Sequence, residues 1–394
     1  MSAFLFVVPP LVGHINPTVG VAAQLAGRGH RVAWACPDPG LVRRLAGPDA
    51  VVLACAGLAP ATRPPRLRGP EALKFLWEGY LLPLADAMAP GVRTAAEEFR
   101  PDVVVADQQA FAGALVAERL GLPWATSATT SAELTGAYDG IPKVADWLRA
   151  RLAELRARVG DPAGDADPRF SPHLVLAFST PELAGPSAAR GGHIHYVGPS
   201  IAGRPAAPGF PWEWLDPGRA KVLVTLGTAN ADVGGRFLAA CVSALRERAD
   251  RVQAVVADPG GTLAATDHDK DVLVLPAVPQ LPLLERVDAV VCHAGHNTVC
   301  EALWHGVPLV VAPIRDDQPV VAAQVADAGA GVRVRFGRVT AARLGPALDA
   351  VLHEPAHRAA AGRLRAAFRA AGGAPAAATR LERLAADARP EETR

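Results

Sequence analysis

Two histidines in this 394-residue chain stand where an imidazole can do chemistry. Residues 7–18 read VVPPLVGHINPT, an apolar run entering a Pro/Gly turn that carries His14. A helix is expected to open near Pro17, a favourable first-turn residue, so that His14 falls at the carboxyl end of the first strand. An imidazole's ordinary pKa lies near neutrality, which suits it to take a proton from an acceptor hydroxyl. A helix N-terminus disfavours added positive charge on the ring. Such a base needs a second group to orient it and to stabilise the imidazolium. Asp107, closing the apolar run PDVVVAD at 101–107, is the best candidate. The competing reading is that His14 bonds a turn and Asp107 caps a helix starting near Phe111.

The second histidine lies in residues 292–306, CHAGHNTVCEALWHG, directly after the strand-like run 289–292. Gly295 permits close backbone approach, and Asn297 or Thr298 can cap the helix expected there. Backbone N–H groups at such a start, with the helix dipole behind them, suit a diphosphate. His293 can add a donor, and Glu301, a turn further on, can accept from ribose hydroxyls. In PIRDDQP, 313–319, the carboxylate of Asp317 beside the carboxamide of Gln318 suits several sugar hydroxyls at once. Upstream, TLGTA at 225–229 ends a strand in a turn where Gly227 and Thr228 offer more donors. His293 with His296 or His305 also reads as the start of a metal site, but no third ligand accompanies them. Otherwise they are turn and helix-face residues.

Positioning these groups requires sheets. Short aliphatic runs alternate with Ala/Leu/Arg stretches of helical period, the pattern of parallel sheets with crossover helices. Strands are expected at 4–8, 32–36, 51–54, 103–106, 124–127, 175–178 and 194–197, and again at 221–226, 252–256, 272–275, 289–292 and 309–312. Helices are expected at 18–26 and 111–120, each before a glycine, Gly27 and Gly121. Residues 57–99 read as longer and less regular. A Pro/Gly/aromatic stretch, GRPAAPGFPWEW, marks a linker. The expected organisation is an α/β protein: an N-terminal domain 1–202, a linker 203–216, a C-terminal domain 217–370 and a helical tail 371–394. In such sheets ligands bind at the carboxyl ends of strands near a topological switch point, so a cleft between the two domains is the expected site.

Composition narrows the class. With 40 basic against 39 acidic residues, the formal charge of +1 gives no electrostatic case for nucleic acid. Cys36, Cys55, Cys241, Cys292 and Cys300 are odd in number and irregular in spacing, which supports neither a disulfide framework nor a cysteine zinc site. No apolar stretch approaches the roughly 20 residues of a membrane span. A cytoplasmic protein without integral membrane association is expected.

Together these residues resemble the inverting nucleotide-sugar glycosyltransferases of the GT-B fold, the superfamily of plant and macrolide UDP-glycosyltransferases, in its bacterial secondary-metabolite form. The family's donor signature is matched without gaps by His293, Gly295, Asn297, Thr298, Glu301, Gly306-Val307-Pro308, Pro313 and Asp317-Gln318. It is preceded, as in the family, by Pro279-Gln280, with Val278 beside them. Gly13-His14-x-x-Pro17 matches the family's catalytic-histidine turn, and Asp107 falls where its partner carboxylate belongs. The resemblance implies two Rossmann-like domains facing across a cleft, with the acceptor on the N-terminal domain and the donor on the C-terminal one. It assigns His293, with His296 and the turn through Thr298, to the diphosphate, Glu301 to ribose, and Asp317 and Gln318 to the sugar. His14 would deprotonate the acceptor, and no metal cofactor would be needed.

One departure concerns the base: many relatives carry Trp where this chain has Ala277, which leaves dTDP- and UDP-sugars both open, with a lean to dTDP. The tail from Ala360 onward is expected to cross back onto the N-terminal domain. The acceptor would meet the irregular segments holding Phe75, Trp77, Tyr80 and Tyr138, an apolar inventory suited to a hydrophobic natural product, unless these are ordinary core. Expected partners are therefore an aglycone and a nucleotide sugar, in a homodimer. Rival readings are another GT-B enzyme such as a sugar-nucleotide epimerase or cell-wall glycosyltransferase, and a noncatalytic sugar-nucleotide-binding helper. A dinucleotide oxidoreductase is disfavoured because no GxGxxG follows the first strand.

Overall fold

The computed structural model describes residues 1–59, 64, 67, 69–136, 141–185, 191–201, 209–227, 233–263 and 269–388. The chain divides into two compact units. The first comprises Met1–Thr180, Ser187–Pro205 and Ala371–Arg394, the second Pro181–Pro186 and Ala206–Ala370.

In the first unit, β1 (Ala3–Val7), β2 (Arg31–Cys36), β3 (Val52–Ala54), β4 (Val103–Asp107), β5 (Trp124–Ala128), β6 (Val175–Ala177) and β7 (Ile194–Tyr196) form one parallel sheet in the order β3-β2-β1-β4-β5-β6-β7. Around it run α1 (Val12–Gly27), α2 (Pro39–Ala46), α3 (Gly69–Leu76), α4 (Leu82–Phe99), α5 (Phe111–Arg119) and α6 (Pro142–Val159). Because strand side chains alternate faces, Phe4 and Phe6 join one buried cluster with Ile15 and Val19 of α1, while Leu5 and Val7 join another with Leu84 and Met88 of α4. Burying each such side chain contributes roughly 1.5–3 kcal/mol. Strand order reverses between β1 and β4, so the loops leaving these two strands diverge and open a crevice at their carboxyl ends.

The second unit repeats the plan. It begins with the short α7 (Pro181–Ala184). Its strands β8 (Ala220–Thr225), β9 (Val252–Ala257), β10 (Val272–Leu275), β11 (Ala289–Cys292), β12 (Leu309–Val311) and β13 (Gly331–Arg333) are parallel in the order β10-β9-β8-β11-β12-β13. Its other helices are α8 (Gly235–Arg246), α9 (Gln280–Leu284), α10 (His296–Trp304), α11 (Gln318–Asp327), α12 (Ala341–His353) and α13 (Pro355–Ala371). The switch point lies between β8 and β11. The last helix, α14 (Gly373–Asp387), packs in the first unit. Its Ala377, Ala378 and Leu381 share the cluster of Phe4 and Ile15, and Glu382 accepts from Arg28 and His30 at 2.6 and 2.9 Å.

Several expectations are corrected. Segment Pro181–Pro186, read as N-terminal domain, belongs with the second unit. The latter part of the expected linker is anchored: Phe210 joins the second unit's core and Trp212, Trp214 and Leu215 pack against it, because three large rings are better buried than left on a tether. Linker residues 203–208 lie outside the described residues. Helix α1 opens at Val12, not near Pro17, so Pro17 sits inside it. Residues 69–99 are helical, with a π-helical turn at Trp77–Leu81. There Leu82 donates to the Trp77 carbonyl, and Pro83, which has no N–H, favours this wider turn. Strand β13 was not anticipated: its three residues, GVR, are too few and too polar at one end to stand out.

Candidate active site

Both histidines lie at switch points. In the first unit, the turn after β1 leads straight into α1, placing His14 in the first turn of that helix. That turn is held down from β2: the Trp34 indole N–H donates to Thr18 Oγ1 at 3.1 Å, and Thr18 donates to the Ile15 carbonyl at 2.7 Å. Asp107 ends β4, the neighbour of β1, and its side chain is fully buried. His14 Nδ1 lies 2.9 Å from Asp107 Oδ1 and 3.0 Å from Oδ2. A carboxylate only accepts, so the proton sits on Nδ1, and Nε2 carries the lone pair that can act as a base. The His14 side chain retains 16% of its exposure, so the ring is not sealed from an incoming molecule. Asp107 Oδ1 also accepts from the Gln109 N–H at 2.8 Å. It does not cap α5, whose N-cap is Ala110 without a side-chain bond, so the carboxylate is directed at the histidine.

In the second unit, register pairs Cys292 with Thr225, so the turns after β11 and β8 lie side by side. The His293 ring fills the gap between them. A Cβ at Gly227 would stand 2.9 Å from His293 Cε1, and one at Gly295 would overlap the ring outright. Gly227 is also left-handed at φ 67°, a conformation glycine adopts at no steric cost. Between the histidine and Gly295, Ala294 is held at φ 63°, an uncommon conformation for a residue with a side chain. Burial of the ring is the main cause that drives the His293 pKa down to about 4. It is therefore neutral near pH 7.

The turn delivers the chain into α10, whose Val299, Ala302 and Leu303 are buried in the core. Gly295, rather than Asn297 or Thr298, is the N-cap, and a glycine has no side chain to cap with. A glycine is needed there because any side chain would strike His293. Glu301, nearly sealed from solvent, accepts from Gln280 Nε2 at 2.6 Å, which fixes one carboxylate oxygen. Gln318 Oε1 accepts from the backbone N–H groups of Ile314 and Arg315 at 2.9 and 3.0 Å, so its acceptor closes the loop and its amide group is the donor. Asp317 is the N-cap residue of α11, and Val278 packs against the core. Thr228 lies outside the described residues.

The four aromatics separate. Trp77, only 1% exposed, packs against Phe111 and Trp147 with ring centroids 5.4 and 6.3 Å apart. The acceptor contact expected of it gives way to core packing. Tyr80 is half-buried against both neighbouring clusters. Burial and the charge of Asp107 push its phenol up to about 12, and Cys36 adds a smaller effect. Phe75 is half-buried, its ring lying over Gly79. Tyr138 lies outside the described residues.

Sequence reasoning missed Thr129, just beyond β5, whose hydroxyl touches both His14 and Asp107. The hydroxyl-rich run TSATTS at 126–131 holds it, but only the pairing of that strand with the one ending in Asp107 distinguishes Thr129 from its neighbours. Among the described residues no group of three or more His, Cys, Asp or Glu is placed to hold a metal ion. Among them, too, no helix is long and apolar enough to cross a membrane.

Two doubly wound parallel units, each with a histidine at its switch point, define the architecture of a GT-B glycosyltransferase. Residues 254–384 match the family described as "Erythromycin biosynthesis protein CIII-like, C-terminal domain". The chain is 33% identical over 408 residues to the demethyllactenocin mycarosyltransferase of Streptomyces fradiae, covering 98% of this chain and 87% of that protein. It is 31% identical to the 4'-demethylrebeccamycin synthase of Lentzea aerocolonigenes, with 90% and 92% covered. The solved structure of the kitacinnamycin glycosyltransferase superposes with a TM-score of 0.79 at 27% identity, covering 97% of this chain and 98% of that one. The chain belongs to the nucleotide-sugar glycosyltransferases of the GT-B fold, in the macrolide-glycosyltransferase-like group, and is a glycosyltransferase.

Proposed function

We propose that this enzyme moves a sugar from a dTDP- or UDP-sugar to a hydroxyl of a hydrophobic small molecule, with inversion and with His14 as general base. The observation that carries this reading is the His14–Asp107 contact at 2.9 and 3.0 Å, which leaves Nε2 as the basic nitrogen. Nε2 takes the hydroxyl proton as the acceptor oxygen attacks the anomeric carbon. The new C–O bond forms on the face opposite the diphosphate, and the electron pair of the broken bond departs with it. Asp107 stabilises the imidazolium. Backbone N–H groups at the start of α10, with the donors of Gly227, Thr228 and neutral His293, meet the charge that gathers on the leaving diphosphate. Glu301, steadied by Gln280, takes ribose hydroxyls. Asp317 accepts from the sugar and the Gln318 amide donates to it.

The first unit takes the acceptor, with Phe75, Tyr80 and Tyr138 as its apolar contacts, and the second unit takes the donor. The names of the mycarosyltransferase and the rebeccamycin synthase support an antibiotic-like acceptor. On the family resemblance the reaction runs without a divalent cation, so EDTA should leave turnover unchanged. A panel of nucleotide sugars against aglycones, read by mass spectrometry and by the anomeric coupling constant of the product, tests the reading. An acceptor glycoside of inverted configuration is expected. Retention, or an altered sugar nucleotide released without any acceptor, would contradict it.

A further inference from the structure

Thr129 follows β5 directly and is 3% exposed. Its Oγ1 lies 3.0 Å from Asp107 Oδ2 and 2.9 Å from His14 Nδ1. A hydroxyl has one proton and two lone pairs, and a carboxylate has no proton to give. The Thr129 proton therefore goes to Asp107, and a lone pair is left facing Nδ1–H. Asp107 Oδ1 is held separately by the Gln109 N–H at 2.8 Å. Each carboxylate oxygen thus has a donor of its own besides the histidine, and the group cannot turn about its Cβ–Cγ bond without losing one. The imidazole N–H in turn faces three oxygens, two from Asp107 and one from Thr129.

We propose that Thr129 is a positioning residue for the transfer reaction: its hydroxyl fixes the Asp107 carboxylate and, through it, the plane and tautomer of His14. This rests on the reading of His14 as the base. Strand order makes the arrangement possible, because β1, β4 and β5 are consecutive in the sheet and their carboxyl ends deliver His14, Asp107 and Thr129 to one place. The nearby phenol of Tyr80, which feels the same carboxylate, keeps its proton until about pH 12 and so changes no charge in an assay near neutrality.

The test compares Thr129→Val, Thr129→Ser and His14→Ala in steady-state transfer, with nucleoside diphosphate affinity measured by calorimetry. Thr129→Val should lower kcat about tenfold or more, a part of the ~10²–10⁴-fold that a general base contributes, while diphosphate affinity stays within about twofold. It should also shift the acidic limb of the kcat/KM–pH profile, since the donor to the carboxylate and the oxygen facing Nδ1–H are both lost. Thr129→Ser should recover most of the rate and the original profile. Should Thr129→Val not fold, Thr129→Ala supplies the hydroxyl-free variant. If His14→Ala is inactive while the hydroxyl-free variant keeps both wild-type kcat and pH profile, Thr129 has no positioning role. Failure of Thr129→Ser to restore what Thr129→Val removes would overturn that role equally. If His14→Ala turns over normally, the base assignment itself fails, and the role of Thr129 with it.

Discussion

Each unit places a histidine at its switch point, on opposite strands of that point, and the two are then treated in opposite ways. His14 follows β1 beside β4, keeps part of its surface, and has a buried carboxylate and a hydroxyl at its Nδ1. His293 follows β11 beside β8, is almost sealed, and is confined by two glycines, with no carboxylate of the described residues against it. The first setting stabilises a ring that gains a proton, and the second penalises one. On the proposed function, one sheet plan used twice serves for a proton acceptor in one unit and a neutral donor in the other. What differs is the residue that ends the strand next door: Asp107 on β4, against Thr225 leading to Gly227 on β8.

The largest way to break this contrast is Asp107→Asn, which keeps the shape but lets the imidazole adopt the wrong tautomer. Transfer should fall by about 10²–10⁴ with diphosphate affinity nearly intact, as steady-state kinetics and calorimetry would read. An equal loss of affinity and thermal stability would make Asp107 a scaffold residue instead. Next comes Gly295→Ala, which forces a methyl into the His293 ring. Overpacking of this kind costs about 1–3 kcal/mol, so urea unfolding should shift by that much, and diphosphate affinity should weaken as the turn moves. A stable variant with unchanged affinity would mean that the ring has room to give.

A smaller effect sharpens the comparison through pH. The folded pKa of His293 lies near 4, below the 6.5 of a free histidine, so between these values the unfolded chain binds a proton that the native one refuses. Its contribution to stability is present in full above about pH 6.5 and is lost as pH falls toward 4. Urea midpoints at pH 7.5 and 5 should therefore converge more in His293→Gln than in the wild type. An identical pH dependence in the two proteins would contradict the desolvated setting.

Much of this was legible in the residues. Every aliphatic run assigned to a strand is one, within a residue or two at each end, because parallel strands buried on both faces read as unbroken Val/Ile/Leu stretches. The parts that were hidden share a cause: they depend on neighbours distant in sequence. Pro17 looks like a helix start, yet α1 begins five residues earlier, where the Leu11 carbonyl already accepts from the Ile15 N–H, and Trp34 on another strand bonds Thr18 inside the helix. Trp77 looks like a ligand contact until Phe111 and Trp147 close over it. Thr129 has no motif, and its meaning comes only from the strand order that sets β5 beside β4.

The most direct measurement sets the two histidines against each other. His14→Ala and His293→Ala are compared for single-turnover transfer at saturating donor and for nucleoside diphosphate affinity. His14→Ala should lose about 10²-fold or more in rate and keep its affinity, whereas His293→Ala should lose affinity first. Undiminished turnover in His14→Ala, with normal donor binding, would contradict the division of labour drawn between the two units.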